Sequence, residues 1–169
     1  MRRSSIGFAH SWLAMGAAAA FVLSPGTAAA TIGPAVIVGG NYQQSTTSVA
    51  TNPATEGSSC ADNSHCYFRF SPVPSGKQLV VTQVSCIVTV LGGSMVTAAL
   101  WPYRNNETLP LRRSSLVHSN PAANTFVLNN TTLQLFVAGD RPLVRVQVSN
   151  ATSTVSGECN ISGQRINAP

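Results

Sequence analysis

The run from Lys77 to Val90 is long and β-branched, which favours an extended strand. Its alternation puts Val80, Thr82, Val84, Cys86, Val88 and Val90 on one face and Leu79, Val81, Gln83, Ser85, Ile87 and Thr89 on the other. The first face is the more apolar and is expected to meet the core. Turns bracket the strand. Pro72-Val73-Pro74-Ser75-Gly76 precedes it, with proline fixing φ and glycine permitting positive φ. Gly92-Gly93 follows and reads as a hairpin turn.

Shorter runs of the same kind recur at Cys66–Ser71, Met95–Trp101, Arg113–His118, Thr125–Leu128, Leu133–Val137, Leu143–Val148 and Glu158–Ile166. In Met95–Trp101 the alternation points Val96, Ala98 and Leu100 inward and Thr97, Ala99 and Trp101 outward. Pro121 breaks the chain, and Gly139-Asp140 with Pro142 and Asn150–Ser153 mark turns. Roughly eight strands at this spacing predict an all-β fold, a single antiparallel β-sandwich of jelly-roll-like form. Upstream, Thr31 to Ser59 is rich in Thr, Ser, Asn, Ala and Gly, and only Ala35–Val38 reads as a strand. The expected division is therefore a signal peptide over 1–30, a loosely structured N-terminal segment over 31–59 supplying one or two edge strands, and a β-sandwich domain over 60–169.

The N-terminus carries an export signal. Arg2 and Arg3 form a positive end, Trp12–Leu23 is an apolar helical stretch, and Pro25-Gly26 ends it. Ala28-Ala29-Ala30 offers small side chains to a signal peptidase, which places the cut at Ala30/Thr31. A spanning helix needs about 20 apolar residues and the Pro-Gly break comes too early for one. No later run is long enough, so no membrane span is expected in the mature chain. The protein is expected to be secreted or periplasmic.

Cleavage leaves 139 residues, one domain of ordinary size. Lys77 and seven arginines then face five acids, a net charge of +3, so two of the five formal positive charges belong to the signal. Only Arg112-Arg113 is a local cluster. Nucleic acid is not an expected partner, because that needs a basic stripe or patch. All four cysteines lie in the mature part, and an even count in an exported chain reads as two disulfides. Cys86 shares a face with Val84 and Val88, and Cys159 with Ile161, so both thiols are expected to point inward and pair. Cys60 and Cys66 close locally. The spacings do not fit a zinc site, and no metal is expected.

The segment Phe68-Arg69-Phe70-Ser71-Pro72-Val73-Pro74-Ser75-Gly76-Lys77-Gln78-Leu79-Val80-Val81-Thr82-Gln83-Val84-Ser85, with Ile161-Ser162-Gly163 near the C-terminus, resembles a group of small exported proteobacterial proteins. These carry a "VPAGKRLVI…VS"-like strand after a cysteine-bearing loop; Ser75 stands here where alanine is more usual. The resemblance spans roughly Cys60 to Ile166 and implies a β-sandwich, export and a bacterial source. Its motif is a turn plus a strand, and it brings no functional residue.

Chemistry is sparse. Phosphate loops, dinucleotide fingerprints and a Gly-x-Ser-x-Gly elbow are missing from the sequence, so no cofactor and no catalytic residue is expected. Ser94 after Gly92-Gly93 reads as part of the turn. The acids Glu56, Asp62, Glu107, Asp140 and Glu158 read as solvated or turn-forming residues, not as a facing catalytic pair. Glu56, Asp62, Asn63 and His65 lack the regular spacing of a calcium loop. The best binding feature is Trp101-Pro102-Tyr103-Arg104: an outward aromatic at a strand end, with Tyr103 and Arg104 beside it, suits a sugar face or a partner protein. The plainer reading makes Trp101 a cover for the open end of the core. Function is thus expected to be non-catalytic, with an envelope glycan or protein as partner. The alternative is a small hydrolase pairing His65 or His118 with a carboxylate.

Overall fold

The computed structural model describes residues 31–50, 60–62, 64–104, 107–108 and 112–169, and for 48–50, 60–62 and 107–108 the backbone only. The expected signal peptide, with Ala30 at its cleavage point, lies outside the described residues, as do Glu56 and Asn63.

Thirteen strands are formed among the described residues. They are β1 (Thr31–Ile32), β2 (Val36–Val38), β3 (Asn41–Ala50), β4 (Cys60–Asp62), β5 (His65–Arg69), β6 (Lys77–Leu91), β7 (Met95–Arg104), β8 (Glu107–Thr108), β9 (Ser114–Leu116), β10 (His118–Ala122), β11 (Thr125–Phe136), β12 (Arg141–Val148) and β13 (Thr154–Asn167). One sheet runs β1-β3-β13-β6-β11-β10, with β2 also on β3. The other runs β4-β5-β12-β7-β8, with β9 also on β7. Every pairing is antiparallel.

Eight principal strands carry the fold: β3, β5, β6, β7, β9, β11, β12 and β13. The first four pair with the last four in reverse order, β3 with β13, β5 with β12, β6 with β11 and β7 with β9. The chain crosses repeatedly between the sheets, which is the jelly-roll winding. The expected all-β sandwich is what forms.

Several local expectations need correcting. Gly92-Gly93 does not close a hairpin, because β6 and β7 lie in different sheets. An arch there lets the apolar faces of both strands meet across one core, where a hairpin would set them side by side. Residues 31–50 are not a loose segment. Asn41–Ala50 forms a ten-residue strand in register with β13 from Gln164 to Val155. Its Ser/Thr/Gln composition hides a clean alternation, with Tyr42, Gln44 and Thr46 buried. Thr125–Leu128 and Leu133–Val137 are not separate strands either; one bulged strand, β11, spans most of both.

The inward face of β6 is as expected from Val84 onward, but Leu79 and Val81 are buried in place of Val80 and Thr82. Gln83 pairs with Ser162 while Val81 pairs with Gly163, so Thr82 is an extra residue. A bulge of one residue flips the side-chain alternation beyond it. The bulge brings β6 against β13 so closely that a Cβ on Gly163 would sit 1.9 Å from the Val80 carbonyl oxygen. Glycine is required there by contact. Gly76, at φ 69°, is required by conformation in the turn before β6.

The core lies between the sheets. Phe68 and Phe70, Val84, Cys86 and Val88, Leu100, Leu128 and Phe136, Val144 and Val146, and Cys159 and Ile161 fill it. Each such side chain contributes about 1.5–3 kcal/mol by burial. Cys86 and Cys159 face each other on β6 and β13 and are joined by a disulfide. Cys66 is also disulfide-bonded, and its backbone lies opposite Cys60 in the β4–β5 pair. The Cys60 side chain lies outside the described residues. Among the described residues no helix is long and apolar enough to cross a membrane.

Candidate functional site

Strand alternation sends every second residue of the β4-β5-β12-β7-β8 sheet away from the core. On β5 these are His65, Tyr67 and Arg69; on β12 they are Arg141, Leu143, Arg145 and Gln147; on β7 they are Thr97, Ala99, Trp101 and Tyr103. Register sets them in rows. Arg69, Leu143 and Trp101 lie side by side, then Tyr67, Arg145, Ala99 and Ser115, then His65, Gln147 and Thr97, with Arg141 beside Tyr103 at the other end. Arg113 extends the Trp101 row from the segment just before β9.

Trp101 is on the outward face, as its position in the strand predicts, yet it is only 5% exposed and stands outside the core cluster. Guanidiniums cover it. The Cζ of Arg145 lies 5.1 Å from the indole centroid and that of Arg113 lies 5.6 Å from it. Cation–π contacts of this kind contribute roughly 0.5–2 kcal/mol. Trp101 is therefore neither an open stacking platform nor a plug in the end of the core. It is the base on which two arginines rest. Arg69 packs in the same manner on Tyr67, at 5.4 Å.

Next to this cluster is a cleft of about 270 Å³. Trp101, Arg113 and Arg145 line it with Thr97, Ser115 and Gln147. Ala99, the small residue between Arg145 and Ser115, keeps it open. Two donors belonging to its walls, Trp101 Nε1 and Arg145 Nε, are buried without an acceptor among the described residues. A buried donor left unpaired costs about 1–3 kcal/mol.

Arg104 is not part of this cluster. It follows Tyr103 by one residue and so points to the opposite side. There its Nε and Nη2 donate to Asp140 Oδ1 at 2.8 and 2.5 Å. Arg112 donates to Asp140 Oδ2 at 3.1 Å and also to the Leu135 carbonyl. The Val137 amide donates to the same carboxylate at 2.9 Å. Asp140 is fully buried rather than solvated, and it does form the turn, its amide donating to the Val137 carbonyl at 2.9 Å. The Arg112-Arg113 pair is thus split. One arginine neutralises a buried acid, and the other stacks on Trp101.

The residues considered for hydrolysis are scattered. His118 lies edge-on to Phe126 at 5.6 Å. His65 Nδ1 lies 3.3 Å from Ser64 Oγ, and its backbone pairs with Asp62, whose side chain is outside the described residues. Glu158 lies on the outward face of the other sheet. Among the described residues no three His, Cys, Asp or Glu side chains gather as metal ligands.

Sequence reasoning located Trp101 and Tyr103 but missed Arg69, Arg113, Arg141 and Arg145 as their neighbours. Arg69 comes from β5, Arg141 and Arg145 from β12 and Arg113 from the segment before β9, so their convergence is a product of register. The placement of Arg104 was available from alternation. A residue one step beyond Tyr103 cannot share its face in a regular strand. No family model matches the chain, and no curated protein matches it.

Proposed function

We propose that this is an exported, non-catalytic β-sandwich that works by binding, through the outward face of the β4-β5-β12-β7-β8 sheet. The observation that carries this reading is the pair of guanidiniums, Arg113 and Arg145, packed on Trp101 beside a polar cleft. Among the described side chains this face also presents Arg69 and Arg141 and no carboxylate. Export is supported by the sequence at Met1–Ala30 and by the Cys86–Cys159 disulfide, a bond typical of oxidising compartments.

Fractionation of cells making the full chain tests the reading. The protein is expected outside the cytoplasm, beginning at Thr31, and retained on the isolated envelope. Arg113→Glu with Arg145→Glu releases it, while Gln43→Glu with Gln83→Glu on the opposite sheet leaves it in place. Release by the second pair and not the first would overturn the assignment of the binding face.

A further inference from the structure

We infer that the Arg145–Trp101–Arg113 cleft takes the carboxylate of an acidic polysaccharide, a polymer of uronate-type sugars. This rests on reading the arginine face as the binding face.

The charge balance comes first. Of the arginines around this end of the sheet, Arg104 and Arg112 are held by Asp140, the buried acid between them. Arg113 and Arg145 contact the indole instead, and no ion pair to either is found among the described residues. A guanidinium over a ring does not spend its N–H groups on that contact, and its planar fork matches a carboxylate with two parallel hydrogen bonds. The two arginines flank one ring, so a single anionic group in the cleft lies within the field of both.

The unpaired donors come second. Trp101 is 5% exposed, and its Nε1 is buried with no acceptor among the described residues. Arg145 Nε, in the next row, is in the same state. Both side chains line the cleft. Neither atom has open surface in the cleft as it stands, so a ligand oxygen reaches them when the guanidiniums over the indole shift, and it then supplies an acceptor that the described residues do not.

The rest of the lining sets the class. Thr97 donates its hydroxyl to Gln147 Oε1 at 3.2 Å, and the capacity left on these two, with the Ser115 hydroxyl, pairs with sugar hydroxyls. A volume of about 270 Å³ suits one saccharide unit with its acid group, and the open strand rows on either side allow a chain to continue. The stacking on an exposed aromatic face that favours neutral glycans is not offered by Trp101.

After cleavage at Ala30 the exported protein keeps Trp101 as its sole tryptophan, because Trp12 leaves with the signal. Indole emission therefore reports this cleft. The experiment titrates the exported protein at low salt with oligogalacturonate, with neutral malto-oligosaccharide, with duplex DNA and with phosphatidylglycerol vesicles. Oligogalacturonate is expected to change the emission, and the other three to leave it unchanged. Arg145→Gln and Arg113→Gln each weaken oligogalacturonate binding at least tenfold, and Arg145→Lys, which keeps the charge but loses the fork, weakens it severalfold. Thermal melts confirm that each variant is folded. An equal response to the neutral oligomer overturns the carboxylate while leaving the face intact. A stronger response to DNA or to vesicles replaces the uronate with a phosphate ligand and overturns the proposal. Oligogalacturonate binding that neither changes the emission nor weakens in the Arg145 and Arg113 variants overturns the cleft, and with it the reading of this face.

Discussion

The two sheets bury similar residues inward and present opposite chemistry outward. On the β1-β3-β13-β6-β11-β10 sheet the outward rows read Thr131, Gln83, Ser162, Gln43 and then Asn129, Ser85, Asn160, Ser45. Two pairs of these amides and hydroxyls satisfy one another. Gln83 donates to Asn129 at 3.2 Å and Asn160 to Ser45 at 3.1 Å. Among the described outward side chains of these central rows and the next, Glu158 is the one charge. The other sheet carries arginines and aromatics there; among the described residues Trp101 Nε1 and Arg145 Nε on it are buried without an acceptor, against Gln134 Oε1 on β11 of the amide sheet. A neutral surface offers an anionic ligand hydrogen bonds alone, whereas a one-signed surface adds charge pairing. The amide sheet also holds the disulfide and the longest strand pairings. The disulfide and the longest pairings thus lie in one layer, and the proposed binding face in the other.

That division is broken most directly at the disulfide. Cys86 and Cys159 close a separation of 73 residues. In the chain-entropy model their bond contributes about 4 kcal/mol. Cys86→Ala with Cys159→Ala is expected to lower the unfolding free energy by about that amount in urea. Polyuronate affinity in the absence of urea should stay within twofold, since no residue of the arginine face touches the bond. A parallel loss of affinity would show that the layers are not separable.

How much of this could be read from the sequence follows the range of the forces involved. Parity along a strand is local, so the inward pairing of Cys86 with Cys159 and the outward setting of Trp101 were both legible. It failed at Thr82, where the bulge depends on the close approach of Gly163 from a strand some eighty residues away. It failed again over Asn41–Ala50, where Gln44 and Thr46 are buried because partners across the fold receive them, not because they are apolar. The arch at Gly92-Gly93 was read as a hairpin because turn residues specify a reversal and not the sheet that receives the next strand. The arginine cluster lay furthest from reach. Residues 69, 113, 141 and 145 become neighbours only once β12 lies between β5 and β7.

A second test acts at the seam between the layers. Tyr42 on β3 donates its hydroxyl to Gln44 Oε1 at 2.6 Å, and Gln44 Nε2 donates to Ser71 Oγ at 2.7 Å and to the Gly33 carbonyl at 2.8 Å. Burial pushes the Tyr42 phenol up from 10.0 to about 12, against the opposing charge of Arg165. Below pH 10 both folded and unfolded chains keep the proton. Between pH 10 and 12 the unfolded chain releases it first, so stability falls as pH rises, by roughly 2–3 kcal/mol across the window. Denaturation measured from pH 9 to 12 is expected to show this fall. Tyr42→Phe should remove the part due to this group and leave a shallower profile. An unchanged slope in the variant would mean that the seam does not hold Tyr42 neutral.

The smallest expected effect is the sharpest check on the contrast between the two faces. Gln83 is exposed on the amide sheet and donates one hydrogen bond to Asn129. Exposed neutral pairs exchange readily with water, so Gln83→Ala is expected to change stability by no more than about 0.5 kcal/mol. It should not alter retention on any anionic glycan. Arg145→Gln is the matched change on the other sheet, since it keeps hydrogen-bonding capacity and removes only the guanidinium. If the faces differ as their chemistry implies, the glutamine variant loses polyuronate binding at least tenfold while the alanine variant is silent. Comparable losses from both would place the ligand on neither face in particular and would make the arginine cluster a packing arrangement over Trp101. A loss confined to Gln83→Ala would transfer the site to the amide rows, where Gln43, Ser85, Asn160 and Ser162 already border a second cleft.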